Sequence, residues 1–282
     1  MNNRIYQVLR PFLKSPQFVA SVTILFFILL LSLFGPMIAQ WDPTFVNGSK
    51  RFNPPSVIHW FGNDEFGRDI FSNIVHGARI TLVVSIASMI FSSTVGITLG
   101  ITAGYFRGKW EDLVMRGIDV LLCFSPILMA IFLVTFLGPS IQNLIIVIGI
   151  LYVPRFTRIA HSSTLAVSEF SYVESAHATG APTWIILFKH ILPNILAPLF
   201  VQFSLGLGAA ILLESGLSFL GLGPPPPTPS WGRMIAKSRR FLAISPYGIL
   251  WPSIFISTTV LAFNLLGDAL RDSLDPRLRG QL

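Results

Sequence analysis

The residues best suited to chemistry stand together between positions 59 and 69: His59, Asp64, Arg68 and Asp69. A histidine and two carboxylates could ligate a metal ion or form an acid–base pair. The adjacent charges of Arg68 and Asp69 more simply predict a charge-paired surface segment that orders a loop. We therefore predict neither a metal site nor a catalytic pair here.

Glu214 interrupts a long apolar run that is predicted to cross a membrane. An unpaired carboxylate at that depth is costly, and such a residue by default marks a transport path or a gate. A structural ion pair or a protonated, hydrogen-bonded acid would explain it equally well. Both interpretations stay open for Glu214.

The sequence lacks a complete phosphate-binding loop. Residues 103–110 contain Gly-Lys at positions 108 and 109, but such a loop needs Gly at position 103, where Ala stands, and Ser or Thr at position 110, where Trp stands. The apolar runs contain no nucleophile–base pair and no His/Asp ligand set. We therefore predict no catalytic residue, no ATP hydrolysis by this chain alone, and no enzyme activity.

The composition indicates an integral membrane protein. Of the 282 residues, 52% are hydrophobic and only 12% are charged, and the mean hydropathy is +0.67. A soluble domain of this length would carry about twice that charge. The net charge of +7 does not indicate a nucleic-acid partner, because the basic residues are scattered at the ends of apolar runs, as membrane loops require. Cys123 lies in an apolar run and supports neither a disulfide framework nor a metal site.

Apolar runs predict an all-α protein with six transmembrane helices. A hydrocarbon core of about 30 Å needs roughly 20 apolar residues, and Pro126 is expected to kink the third helix. In order, we predict an N-terminal segment 1–17, a first span 18–39, an outer loop 40–78, and a five-helix core 79–282 with spans 80–106, 113–137, 141–159, 193–220 and 247–266.

Two patterns within the core predict helix contacts. Gly96, Gly100 and Gly104 lie on one helix face and predict a close approach to a neighbouring helix, in this chain or in a partner. Arg116 and Asp119, three residues apart, could pair on one face. After the proline-rich link 224–229, an alternation of apolar and basic residues over 231–242 suggests an amphipathic segment at the membrane interface.

A polar, turn-rich stretch between two apolar segments, residues 171–194, predicts two short helices. Ser171 and Glu174 have the spacing of a capping box, and Gly180 is a typical stop after Ala178. Pro182 can begin a second helix, which we expect to end at Leu192. This stretch, within a loop 165–192, would form a rigid surface for another protein.

The same stretch resembles the coupling loop of ATP-binding-cassette (ABC) importer permeases. Their pattern is Glu-Ala-Ala, three residues, Gly, nine residues, Ile-x-Leu-Pro. It is matched here by Glu174, Ala176, Gly180, Leu192 and Pro193, and departed from by Ser175 and His190. Residues 59–69, residues 213–223 and the tail 267–279 are similar to the C-type permease subunits of dipeptide, oligopeptide and nickel importers.

The resemblance implies a type I permease fold and assigns roles to residues. Coupling to an ATPase subunit would involve Glu174, Ser175, Ala176, Gly180 and Ala181, and the outer-loop signature would be Gly62, Asp64, Gly67, Arg68 and Asp69. The implied partners are a second permease subunit, two ATP-binding subunits and an external binding protein, in addition to the lipid bilayer. ATP and Mg²⁺ would bind the partner subunits, and this chain would hold no cofactor.

With the N-terminus inside, the cytoplasmic segments would hold twelve of the twenty basic residues: Arg4, Arg10, Lys14, Arg107, Lys109, Arg116, Arg155, Arg158, Lys189, Arg271, Arg277 and Arg279. We therefore expect a multi-pass protein of the bacterial inner membrane with both termini in the cytoplasm. The cargo implied by the resemblance is short peptides, with nickel or peptide-like conjugates as the alternative. A secondary transporter driven by an ion gradient remains a different class, although it would need paired intramembrane charges and usually repeats.

Overall fold

The computed structural model describes residues 15–274, and within that range the regular structure is helical. The N-terminal segment 1–14 and the end of the tail from 275, including Arg277 and Arg279, lie outside the described residues. The helices are, in chain order, α1 Pro16–Ile38, α2 Ile70–Phe106, α3 Gly108–Leu122, α4 Pro126–Leu137, α5 Ile141–Ser168, α6 Ser171–Ala178, α7 Thr183–Phe219, α8 Trp231–Ser238 and α9 Tyr247–Leu274.

Five of these helices, α1, α2, α5, α7 and α9, are long and apolar enough to cross a membrane. The predicted third span is a broken pair, because α3 and α4 meet at 90°. Six spans result if this pair counts as one. Pro126 does more than kink a helix, since it is the first residue of α4. Its ring pushes the preceding Ser125 out of the helical region, and Ser125 is extended.

Helix α2 begins ten residues before the uncharged run that predicted it. Asp69 caps its N-terminus by accepting a hydrogen bond from the Ser72 amide at 2.8 Å. Residues 70–78, which the sequence placed in the outer loop, are therefore helical and mostly buried. The single charge of Arg79 does not end the helix, because its side chain is exposed.

The glycine stripe of α2 packs against α5, which confirms a tight contact within this chain. A Cβ atom built on Gly96 would lie 2.6 Å from Phe156 Cβ, and one built on Gly100 would lie 2.5 Å from the Thr157 carbonyl oxygen. A Cβ atom built on the third glycine, Gly104, would lie 2.9 Å from Thr164 Cβ. Only glycine lets the two backbones approach this far.

Two polar contacts join α3 to α5, and neither is the predicted pair of Arg116 with Asp119. The sequence predicted that Asp119 pairs with Arg116 on the same helix. In the structure the Asp119 carboxylate instead accepts a hydrogen bond from Arg158 Nη2 of α5 at 2.6 Å. His161 and Glu111 make a second contact between α3 and α5 at 2.7 Å. Packing of α3 on α5 therefore decides the partner of Asp119.

The second short helix does not end at Leu192, because a π-helical segment, Ile186–Ile191, carries α7 through Pro193 without a break. Proline removes one backbone donor, and the wider π turn accommodates this. The side-chain amide of Asn194 donates to the His190 carbonyl oxygen at 2.6 Å. The short helix and the fifth span are thus one rod.

Helix α8 is not the interfacial segment that its pattern suggested. Trp231 is fully buried, and its Nε1 donates to the carbonyl oxygen of Ile74 at 3.0 Å. Met234 and Ile235 also pack against the core. The apolar face of α8 is therefore covered by the helix bundle.

Candidate functional site

The predicted coupling helix is present as α6, but its N-terminus differs from the prediction. Phe170 occupies the capping position with an extended backbone, and no side chain caps the helix. Ser171 is already the first helical residue, so it cannot form a capping box with Glu174. The Glu174 amide instead donates to the Phe170 carbonyl oxygen at 3.2 Å.

The C-terminus of α6 is closed by a Schellman motif, which confirms the predicted stop at Gly180. The Ala181 amide donates to the Ala176 carbonyl oxygen at 3.1 Å, and the Gly180 amide donates to the His177 carbonyl oxygen at 3.0 Å. Gly180 has a φ of +77°, a value that residues other than glycine, asparagine and aspartate rarely adopt. The end of α6 is thus fixed by its own backbone.

One face of α6 is anchored and the other is exposed. Val173 is 3% exposed, while Ala176 and Ala181 pack against the same core. Glu174 and Ser175 are exposed. Of the five residues predicted to contact an ATPase, Ala176 and Ala181 therefore anchor the helix to the core. The other three are exposed, so a partner could reach them.

A concave surface lies between α6 and the end of α2. Its walls include Tyr105, Arg107, Glu169, Glu174 and His177. Arg107 Nη2 lies 3.8 Å from Glu169 Oε1, and the rings of Tyr105 and His177 are 6.5 Å apart at 24°. This surface can receive a side chain of a partner beside Glu174.

Exposed aromatic residues surround α6, and the sequence reasoning gave them no role. Trp184 and Phe188 are the most exposed of them, at 64% and 66%. The other members of this group are Phe106, Phe170 and Tyr172. Aromatic side chains are enriched at protein interfaces and at membrane surfaces, so their density in a polar loop was the available signal.

The outer-loop signature is ordered by Asp64. Its Oδ1 accepts the amides of Phe66 and Arg68 at 2.8 and 2.9 Å, and its Oδ2 accepts from Arg68 Nε at 2.7 Å. Arg68 also lies 3.6 Å from Glu65. The predicted partner of Arg68, Asp69, is engaged elsewhere. Burial raises the pKa of Glu65, and the neighbouring charge of Asp64 adds to this effect.

Asp69 is the centre of a buried cluster and does not belong to a surface segment. Its Oδ2 accepts from the amide and the hydroxyl of Ser72 at 2.8 Å, and its Oδ1 lies 3.0 Å from His59 Nδ1. Lys50 Nζ lies 3.2 Å from His59 Nε2. An ammonium group only donates, so His59 Nε2 accepts and Nδ1–H donates to Asp69. Both ring nitrogens are therefore occupied, and the cluster anchors the loop to α2.

The two glycines of the signature allow the loop to fold back on itself. A Cβ atom on Gly67 would lie 1.8 Å from the Asn47 carbonyl oxygen, and one on Gly62 would lie 2.6 Å from that of Asn53. Both have positive φ values. Across residues 15–274, the His, Cys, Asp and Glu side chains form no group of three or more that could hold a metal ion.

Glu214 lies on α7, contacts Thr81 of α2 and is fully buried. The Thr81 hydroxyl donates to Oε2 at 3.0 Å, and the Ser218 hydroxyl donates to Oε1 at 2.7 Å. Ser215 Oγ is 3.4 Å from Oε2. These contacts fit a hydrogen-bonded buried acid, and a role in a path or gate stays a prediction.

Comparison with known proteins gives matches over nearly the whole chain. Residues 96–280 match the family described as binding-protein-dependent transport system inner membrane component, and residues 4–55 match the N-terminal transmembrane domain of oligopeptide transport permease C. A dipeptide transport system permease protein of Alkalihalophilus pseudofirmus is 43% identical over 267 residues, which are 94% of this chain and 88% of that protein.

Two glutathione transport system permease proteins are similarly close. The protein of Pectobacterium atrosepticum is 40% identical over 96% of this chain and 90% of its own length. That of Escherichia coli O6:K15:H31 is 42% identical over 94% of this chain and 88% of its own. The chain therefore belongs to the inner-membrane permeases of binding-protein-dependent ABC importers, in the dipeptide and oligopeptide branch.

Proposed function

We propose that this chain is a transmembrane subunit of an ATP-driven importer that takes short peptides or peptide-like conjugates from an external binding protein. Relatives named for dipeptide and glutathione transport support this cargo class. They do not favour nickel, nor a carrier driven by an ion gradient. The chain would act together with a second permease subunit and two ATP-binding subunits, which hold ATP and Mg²⁺.

The observation that carries the coupling proposal is α6, a short helix with one anchored and one exposed face. Val173 and Ala176 fix it to the bundle, and the Schellman motif at Gly180 fixes its end. Glu174 and Ser175 remain accessible to a partner. Because the contact is rigid, movement of an ATPase subunit would reach the spans as a displacement of whole helices.

The chain performs no chemistry in this mechanism. Closure of the ATPase pair on ATP would draw the coupling helices of the two permeases together and shift the spans from inward-open to outward-open. Both termini and α6 would then lie in the cytoplasm, and residues 40–69 would face the binding protein. Coupling of this kind is a free-energy link between two sites.

Uptake by the reconstituted assembly tests the function. Vesicles that contain all co-expressed subunits and the binding protein should accumulate a labelled dipeptide when ATP is supplied to the ATPase side. Uptake should stop without ATP and continue when an ionophore removes the ion gradients. Uptake that follows an ion gradient and ignores ATP would contradict the proposal.

A matched pair of variants at position 180 tests the coupling role. A Cβ atom at Gly180 meets open space, so both Gly180→Asn and Gly180→Asp fit sterically, and both residues tolerate a positive φ. Only the aspartate adds a charge at the contact. We expect G180D to insert normally but to separate ATP hydrolysis from uptake, whereas G180N retains most of the uptake. Full uptake by G180D would exclude this surface from coupling.

A further inference from the structure

A cavity of about 570 Å³ opens between the C-terminal end of α7 and α8. Ligand sites in proteins are typically about 300–1,000 Å³, so its size suits a small ligand group. It will be called the basic cavity, because five cationic side chains line it: Arg51, Arg233, Lys237, Arg239 and Arg240. Among the described residues that line it, Glu65 is the one acid.

Nearby carboxylates offset part of the charge of Lys237 and Arg233, so the uncompensated charge of the basic cavity is mainly that of its other arginines. The Glu65 carboxylate lies 3.6 Å from Arg68, which is not a wall residue, and burial disfavours its charged form. Arg239 and Arg240 are exposed, and the Arg239 guanidinium lies over the Phe219 ring at 5.4 Å. The two arginines therefore stand at the mouth with their charges toward solvent or a ligand. A ligand that complements the charge of the basic cavity would therefore be an anion.

The position of the basic cavity narrows the kind of anion. Phe219 is the last residue of α7, so the cavity opens where a membrane span ends. The wall residue Leu220 is 53% exposed, and two residues that follow the wall residue Phe241 in the chain are also exposed, Leu242 at 55% and Ile244 at 67%. Three exposed apolar side chains close together would have no apolar group to pack against on a surface that faces only water, so they indicate contact with an apolar ligand or with lipid.

We propose that the basic cavity binds the headgroup of an anionic phospholipid, with the acyl chains against Leu220, Leu242 and Ile244. The phosphate would lie among the arginines, which suit phosphate because their planar donors match its oxygens. Basic pockets between membrane helices bind anionic headgroups on the cytoplasmic side of membranes, and the same charge attraction would act here in the outer leaflet, because Arg51 and Glu65 belong to the predicted outer loop. An acidic surface of a soluble protein would match the arginines but would leave the apolar rim without a partner. The inference depends neither on the peptide cargo nor on the coupling role of α6.

Native mass spectrometry of the purified full chain tests the proposal. The protein in mild detergent is titrated with phosphatidylglycerol and, separately, with phosphatidylcholine of the same acyl chains. We expect the anionic lipid to bind more tightly. The variant R239Q/R240Q should weaken phosphatidylglycerol binding by roughly thirtyfold, because each basic side chain near an anionic surface contributes about fivefold.

A control variant of equal charge change keeps the test specific. Lys109 and Arg116 are exposed on α3, outside the basic cavity, so K109Q/R116Q should bind phosphatidylglycerol as the wild type does. Size-exclusion profiles of both variants verify that they fold. Equal binding of the two lipids, or equal losses in the two variants, would overturn the assignment.

A third pair of measurements separates a lipid from other anions. Leu242→Asn with Ile244→Asn should weaken the binding of the long-chain lipid and leave charge-driven binding of inorganic phosphate unchanged. If inorganic phosphate displaces the lipid at equal concentration, the acyl chains contribute nothing and the lipid proposal fails. It also fails if R239Q/R240Q retains the lipid but loses affinity for the binding protein, since the cavity is then a protein docking surface.

Discussion

Replacing Gly100 by alanine should separate α2 from α5. The new Cβ atom would lie 2.5 Å from the Thr157 carbonyl oxygen, 2.6 Å from Ala160 Cβ and 2.9 Å from the His161 amide nitrogen. Ordinary contact begins at 3.4 Å, so the shortest distance is too small by about 0.9 Å (3.4 − 2.5). Two of the three atoms belong to the backbone, so rotation of a side chain cannot relieve the overlap.

The magnitude follows from two opposing effects. Overpacking of a tight contact costs about 1–3 kcal/mol. Alanine is the better helix former and returns about 1 kcal/mol relative to glycine. Gly117→Ala provides the control, because a Cβ atom there meets nothing within 4 Å. This substitution should stabilise the protein only by the higher helix propensity of alanine. The free energies of unfolding of G100A and G117A should therefore differ by about 2 kcal/mol, which is the steric cost.

Unfolding of the purified variants by sodium dodecyl sulfate in mixed micelles, followed by circular dichroism, measures this difference. Adding Ala160→Gly to G100A removes one of the three short contacts and should restore part of the loss, so the two changes should not be additive. A G100A protein as stable as G117A would refute the argument that glycine is needed for the α2–α5 approach.

The remaining predictions use the same unfolding measurement. Glu214→Ala should cost about 3 kcal/mol or more, because the buried hydroxyls of Thr81 and Ser218 lose their acceptor, whereas Glu214→Gln, which keeps one acceptor oxygen, should cost less than half as much. Equal losses would show that hydrogen bonding to Glu214 is unimportant. Trp231→Phe should cost about 1 kcal/mol by removing the indole hydrogen bond to α2, and an unchanged stability would contradict this. Burial raises the pKa of Glu65 above the ordinary value of about 4.5, so the folded protein keeps a proton that the unfolded chain has already released. The contribution of this residue to stability is therefore largest below pH 4.5 and falls as the pH rises from there through the pKa of the folded state. Glu65→Gln should remove this decrease, and a variant with the same pH profile as the wild type would refute it.

Local patterns of the sequence predicted the features that depend on neighbours along the chain. The spacing of Gly96, Gly100 and Gly104 indicated one close-packed face, and the structure places α5 on it. Gly180 marked the end of α6 because a left-handed residue is needed there. Both are backbone requirements that a single residue type satisfies.

Features that depend on contacts between residues far apart in the chain could not be predicted from local sequence patterns. Asp69 follows Arg68 directly, yet the fold turns its carboxylate toward His59 and Ser72. Trp231 lies in a segment with the pattern of an interfacial helix, but its partner Ile74 is 157 residues away. A pattern of apolar and charged residues cannot tell lipid from a protein core as the apolar neighbour.

The continuity of α7 shows a different limit. Pro193 ordinarily ends or kinks a helix, and that rule predicted two separate elements. The π-helical segment before Pro193 lets the helix continue although proline has no backbone N–H to donate. The residue types of Ile186–Ile191 do not predict a π helix. The π-helical segment joins the end of the polar stretch that follows α6 directly to a membrane span, so the two move together as one helix.

The length of α2 has a mechanical consequence. At about 1.5 Å per residue its 37 residues extend about 56 Å, more than the roughly 40–45 Å of a bilayer with its headgroups. Its first turn is held by the Asp69 cluster, and Tyr105 in its last turn contacts His177 of α6. A helix of this length that moves as a rigid body acts as a lever, because a tilt of about 10° about one end displaces the other end by about 10 Å. Under the proposed coupling, a small rotation imposed at α6 would become a displacement at the other end of α2 that is as large as the diameter of a helix.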